Sequence, residues 1–174
     1  MDKILLVRPK KEMEFEAIEF KNEFFQNGEK EINGGELLDK TEDYGIWLEN
    51  VTKNSSAKTV NPNWVVTDTF FAIRDNDKKL IGIIDFRHEL NEFLKDYGHC
   101  GYSVRPSERK KGYATEMLRQ VIDIARNMGL KEMQLSCERD NLPSVKTITK
   151  NGAKYKRSFD YNGNIADVFI LKIN

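Results

Sequence analysis

The sequence predicts one α/β domain of the α+β type, a mixed and mostly antiparallel sheet of about seven strands with helices on both faces. Three observations lead there. Apolar spacing along the 174 residues reads in the order β-α-α-β-β-β-α-β-α-β-β. Two strand pairs are joined by short polar turns, the signature of antiparallel hairpins. One strand passes through a basic, glycine-containing turn into the strongest helix of the chain, which supplies a crossover. No repeat, low-complexity tract or change of composition interrupts residues 1–174, so a single domain is expected.

Ile4 to Val7, closed by Arg8 and Pro9, is a short apolar run and the first strand. Met13, Ala17, Phe20 and Phe24 then recur at helical spacing, and Asn27-Gly28 stops that helix. Leu37, Tyr44, Leu48 and Val51 share one face of a second helix, with Trp47 beside it, although Gly34-Gly35 and Gly45 interrupt the pattern. Lys53 to Asn63 is polar and aperiodic, hence a long loop. Trp64 to Ile73 and Leu80 to Phe86 form a hairpin across Asp75 to Lys79. A polar, partly helical segment, Arg87 to Tyr97, leads to a strand from His99 to Val104.

Ala114, Met117, Leu118, Val121, Ile122, Ala125 and Met128 then keep an unbroken three-and-four pattern up to a capping Gly129. Met133 to Cys137 is a strand, Asn141 caps a short helix carrying Val145 and Ile148, and Asn151-Gly152 ends it. Lys154 to Phe159 and Ile165 to Ile173 close the chain as a hairpin around Asn162-Gly163.

Composition narrows the function. Lys plus Arg equals Asp plus Glu at 28 each, so no global field attracts nucleic acid, and any anion site must be local. No apolar run approaches the roughly 18 residues of a membrane span and the N-terminus turns charged by Arg8, which predicts a soluble cytoplasmic protein. Cys100 and Cys137 lack metal-ligand spacing with His88 or His99, so free thiols and no metal are expected.

The informative stretch runs from Gly101 to Thr115. There a strand meets a helix through Arg109-Lys110-Lys111-Gly112-Tyr113-Ala114, an R-x-x-G-x-A pattern. The first N–H groups of such a helix have no intrahelical partner and point, with the positive helix end, into the turn. That favours phosphate oxygens. Neither a G-x-x-x-x-G-K-[ST] loop nor a G-x-G-x-x-G fingerprint is present.

At these residues the chain resembles the GNAT superfamily of acetyl-CoA-dependent N-acetyltransferases, whose signature is [RQ]-x-x-G-x-[GA]. The preceding Gly101-Tyr102-Ser103-Val104, the Arg105-Pro106 step, the downstream Asn141-x-x-Ser144 and Lys150-Asn151-Gly152 follow the family's order. The resemblance implies a GNAT-like sheet, acetyl-CoA as cosubstrate and an amine acceptor. It also implies that main-chain groups of Tyr102, Ser103 and Val104 hold the pantothenate arm. The N–H groups of Arg109, Lys110, Lys111, Gly112, Tyr113, Ala114 and Thr115 would hold the diphosphate, and Asn141 and Ser144 would reach the arm. A homodimer is one assembly open to such a domain.

Transfer to an amine requires removal of a proton from a group that titrates near ~10.4. His99, at the start of the central strand, is a candidate base, and Asp85 and Glu138 are carboxylate alternatives. Many relatives carry a proton-donating tyrosine seven residues after the capping asparagine, where this chain has Ile148; Tyr102, Tyr97, Tyr113 or water must substitute, Tyr102 being closest along the central strand. Each of His99, Asp85, Glu138 and Tyr102 also has a structural reading as a strand-end or core residue. A non-catalytic acyl-CoA-binding module, and a phosphate-ligand binder unrelated to CoA, stay open as alternatives.

Overall fold

The computed structural model describes residues 2–173. Its elements are β1 (Ile4–Val7), α1 (Glu14–Gln26), α2 (Tyr44–Asn54), β2 (Thr67–Arg74), β3 (Leu80–Arg87), β4 (Tyr102–Val104), α3 (Tyr113–Asn127), β5 (Glu132–Glu138), α4 (Leu142–Lys150), β6 (Lys154–Tyr161) and β7 (Asn164–Lys172). The order is the one the sequence predicts. The sheet itself comes in two antiparallel pieces, β1-β2-β3-β4 and β5-β7-β6, rather than one continuous mixed sheet. The two meet at a single point, where Gly98 bridges Leu135 and the His99 N–H donates to the Gln134 carbonyl at 2.8 Å. Beyond it β4 and β5 part.

Two apolar layers flank the sheet. On one side Met117, Leu118, Val121 and Ala125 of α3 and Ile148 of α4 pack on Ile84, Phe86, Met133 and Leu135. On the other, Ala17, Phe20 and Phe24 of α1 and Trp47 and Val51 of α2 cover Phe71, Leu80 and Ile83. Trp47 stacks on Phe71 with ring centroids 5.6 Å apart, and its indole N–H donates to the Gly35 carbonyl at 2.9 Å. It lies at the centre of the layer rather than beside the face.

Three boundaries differ from the expected ones. The second helix begins at Tyr44, where Asp43 accepts the Ile46 N–H at 2.9 Å as an N-cap. Leu37 lies outside it, exposed and at φ +68°. Strand β2 begins at Thr67, so Trp64 precedes it. The central strand ladders only over Tyr102 to Val104. No described helix is long and apolar enough to cross a membrane.

Candidate active site

The parting of β4 and β5 leaves a slot whose β4 wall follows from the antiparallel register. Asp85, Arg87 and Arg105 donate their N–H groups to Gly101, His99 and Ile81, and Ser103 lies opposite Ile83. In an antiparallel ladder alternate residues face alternate neighbours. The main-chain groups of Gly101 and Ser103 are therefore spent on β3, and those of Tyr102 and Val104 point toward β5. The Val104 carbonyl already accepts Arg109 Nε at 3.0 Å. Of the three residues expected to pair with a cofactor arm, Tyr102 and the N–H of Val104 face the slot, and the main chain of Ser103 faces β3. Ser103 instead donates its hydroxyl to the Asn33 carbonyl at 2.8 Å.

At one end of the slot lies the basic turn. Lys110 (φ +63°) and Gly112 (φ +88°) are both left-handed, and α3 starts without any side-chain cap, so successive N–H groups converge in the turn. The charges beside it are partly committed. Arg109 makes a two-pronged ion pair with Glu29, 2.8 Å on each arm, and stacks on Phe24. Lys111 pairs with Glu108 at 2.8 Å, which also binds Arg74 and Lys79. Burial works to raise the Glu108 pKa, but Lys111, Lys79 and Arg74 outweigh it and bring it to about 2. Lys110 alone of the run makes no such contact among the described residues. Tyr113 has its ring in the core and its hydroxyl 3.3 Å from Arg74, so only its N–H is offered to a ligand. Ala114 and Thr115 follow in the first turn, the Thr115 carbonyl accepting from Asn151 at 3.2 Å.

The polar centre of the opposite face joins Asp85, a candidate from the sequence, to Glu36, which no local pattern singled out. Asp85 is fully buried, accepts the Gly101 N–H at 2.5 Å and pairs with Arg87 at 2.8 Å. Glu36 lies close enough for the Asp85 carboxylate to act on it. Burial first, then the Asp85 charge and the hydrogen bond to it, push the Glu36 pKa up to about 8, against smaller opposing effects of Arg87 and Trp64. Thr69 stands directly across the ladder from Asp85, buried, with its Oγ1 lacking a partner among the described residues.

Glu36 reaches this position because residues 28–38 lie against β4. Gly34 (φ +75°) touches Gly101 so closely that a Cβ there would sit 2.1 Å from the Gly101 carbonyl oxygen. Glu36 and Leu37 are then held at φ +47° and +68°, a strained conformation for non-glycine residues.

The other candidates have different surroundings. His99 Nδ1 accepts the Gln134 N–H at 3.0 Å, and burial lowers its pKa, so a neutral ring stitches β4 to β5. Glu138 is exposed at the end of β5 and accepts from Asn164 at 3.3 Å. Tyr102 meets Ser144 Oγ at 2.7 Å, and burial raises its pKa. Ile148 is core, yet Tyr102 brings a phenol to the same helix from the strand side. Asn141 caps α4 by accepting the Ser144 N–H at 3.2 Å, which leaves its amide NH₂ uncommitted to the cap. Cys100 is buried and Cys137 half-buried, both with pKa raised by burial, so neither is an activated nucleophile. A surface cavity of about 580 Å³ between α1 and α2 contains none of these groups.

The structure thus sets a splayed strand pair beside an uncapped helix start, with a carboxyl pair on the neighbouring strand. The GNAT acetyltransferase domain model matches residues 4–154, and the chain belongs to that family. It is an acetyltransferase that draws on acetyl-CoA. No curated protein sequence matches it. Among solved structures it resembles the microcin C7 self-immunity acetyltransferase MccE in complex with acetyl-CoA and AMP, with TM-score 0.73, 17% identity, 99% of this chain and 94% of that one covered. It also resembles the ribosomal-protein-S5-alanine acetyltransferase of Vibrio fischeri, with TM-score 0.70, 15% identity and coverage of 98% and 92%. A chimera of the spermidine N-acetyltransferase SpeG from Vibrio cholerae and hSSAT matches with TM-score 0.65, 15% identity and coverage of 97% and 95%.

Proposed function

We propose that the chain is an N-acetyltransferase that moves the acetyl group of acetyl-CoA to a primary amine by direct attack. The observation that carries this reading is the edge of β4 left unpaired with β5 beside the uncapped start of α3, with the Glu36–Asp85 pair on the β3 side as a proton acceptor once it ionises near pH 8. Acetyl-CoA supplies the thioester. The N–H groups from Arg109 to Thr115 would hold its diphosphate, and Tyr102 and the Val104 N–H its arm, with the Asn141 amide in reach.

Once Glu36 has ionised, which it does near pH 8, the pair takes the proton the amine must lose; the N–C bond forms, the C–S bond breaks, and the thiolate leaves. Tyr102, whose proton is held more firmly than usual, serves as a hydrogen-bond donor toward developing negative charge, and Ser144 orients it. His99 positions β4 against β5, and Glu138 is outside the proton path.

A thermal-shift titration together with a thiol-release screen of amines tests this. Acetyl-CoA should raise the melting temperature, Gly112→Glu should abolish the shift, and Asp85→Asn should keep the shift while losing at least about 10²-fold in turnover. A cofactor shift without turnover of any amine would identify a non-catalytic acyl-CoA-binding module.

A further inference from the structure

The Glu36–Asp85 pair sits against a wall of aromatic rings that the transfer chemistry does not use. The Trp64 indole N–H donates to Thr67 Oγ1 at 3.1 Å and also faces Glu36. Its ring lies 6.2 Å from Phe93, Phe93 lies 5.4 Å from Tyr97, and Tyr97 meets Tyr161 and Phe159 edge-on at 5.9 and 6.3 Å. The wall is fastened to the same pair from its other end: Arg87, which binds Asp85, also donates to the Gly98 carbonyl at 2.9 Å, next to Tyr97. Phe93 and Tyr97 are nevertheless 64% and 37% exposed, so apolar ring surface faces solvent beside a buried polar pair. Across the ladder from Asp85, Thr69 Oγ1, on a residue only 3% exposed, has no partner among the described residues.

The charges around the wall decide what kind of amine suits it. Asp85 is matched by Arg87, Asp96 by Arg157 at 2.7 Å, and Glu92 by Lys95. Glu36 holds a proton, so the Glu36, Asp85 and Arg87 group has no net charge. Glu31 and Glu138 lie close enough to Tyr161 to influence its hydroxyl, and Glu89, in the segment that carries Phe93, is exposed. A polycation, which needs a series of unmatched carboxylates, finds little here. A single amine attached to a flat apolar body finds the carboxyl pair and, along the same wall, ring surface.

We infer that the acceptor is a small primary amine carrying an aromatic ring a few bonds from the nitrogen, its ring laid on Phe93 and Tyr97 and its nitrogen at the Glu36–Asp85 pair. This rests on the transferase reading and goes beyond it by naming the substrate class. With acetyl-CoA, 2-phenylethylamine should be acetylated with kcat/KM at least about tenfold above n-butylamine and spermidine, from burial of the ring. Phe93→Ala should bring the phenylethylamine-to-butylamine ratio within about threefold while leaving the acetyl-CoA thermal shift intact. Equal or faster turnover of n-butylamine or spermidine, or an unchanged ratio in Phe93→Ala, would overturn the inference and leave the transferase reading standing.

If no amine turns over, the transferase reading is at fault, and binding to the CoA-loaded protein decides the aromatic site. A change in tryptophan fluorescence with 2-phenylethylamine, absent with n-butylamine and lost in Phe93→Ala, supports it. No such change overturns it.

Discussion

Replacing Glu36 by Gln isolates the shared proton, because the amide keeps the shape and hydrogen-bonding donor of the protonated carboxyl but can never ionise. In the folded chain the pair keeps its proton up to about pH 8, whereas an unfolded glutamate releases it near the usual 4.5. Between those values the folded state binds more protons than the unfolded one, so stability falls as pH rises. The contribution is complete below the unfolded pKa and lost as pH passes the folded one. The slope cannot exceed about 1.4 kcal/mol per pH unit for one proton, and across the window it amounts to a few kcal/mol.

Urea titrations from about pH 5 to pH 9 should therefore show the wild-type protein losing stability relative to Glu36→Gln, the two converging at the acid end. The same substitution removes the proton acceptor, so kcat/KM should fall by at least about 10²-fold, and the acidic limb near pH 8 should vanish. The amine's own titration is common to both proteins and cancels in their ratio. A variant within about threefold of wild type, with the same pH–rate profile, would refute the assignment of the proton to this pair.

Three further outcomes follow from the packing of β4. Gly34→Ala should cost at least about 2 kcal/mol and depress activity, since its Cβ has no room against Gly101, whereas Gly28→Ala, at φ +79° in open space, should cost about 1 kcal/mol and leave activity alone; melting curves and thiol release check both. His99→Ala should lower the melting temperature, because the Gln134 N–H loses its acceptor, yet leave the pH dependence of kcat/KM relative to wild type unchanged. Arg109→Ala should shrink the acetyl-CoA thermal shift, and a double-mutant cycle with Glu29→Ala should give a coupling of no more than about 1 kcal/mol, since both side chains are more than a third exposed or nearly so.

The parts of the molecule legible in the sequence are those whose signal is local. Helix α3 has an uninterrupted apolar stripe, the Asn162-Gly163 turn sets φ +53° and +84° for a tight hairpin, and Gly112 marks a helix start that its own spacing identifies. Asp85 was also reachable, as a carboxylate set in an apolar strand next to the central one. Glu36 was not. It lies in a stretch with no periodicity, and its meaning depends on Gly34 meeting Gly101, a contact across 67 residues of sequence that no local pattern encodes. The reach of His99 and Tyr102 was likewise hidden, because each side chain is spent on a partner more than thirty residues away. The separation of β4 from β5 after one bridge is likewise absent from local pattern, since each strand's spacing says only what it buries; the family resemblance, not the spacing, implies a splay between the central strand and Met133 to Cys137.

A strand of three laddered residues supports all of this because its two faces and its open edge do different work. Tyr102 and Val104 point their side chains into the α3–α4 layer, which fixes the strand without using the slot. Gly101 and Ser103 are small, so residues 28–38 approach the opposite face closely enough for Glu36 to meet Asp85. The edge, unpaired with β5, keeps main-chain groups for a ligand. Enlarging either small residue would tighten nothing in the slot, yet it would lift residues 28–38 and separate the two carboxyls. Asp85 would then keep only Arg87 and the Gly101 N–H, and Glu36 would return to an ordinary carboxylate. The proton site is thus a consequence of backbone approach, which is why glycine at 34 and 101 matters to the chemistry as much as the carboxyls do.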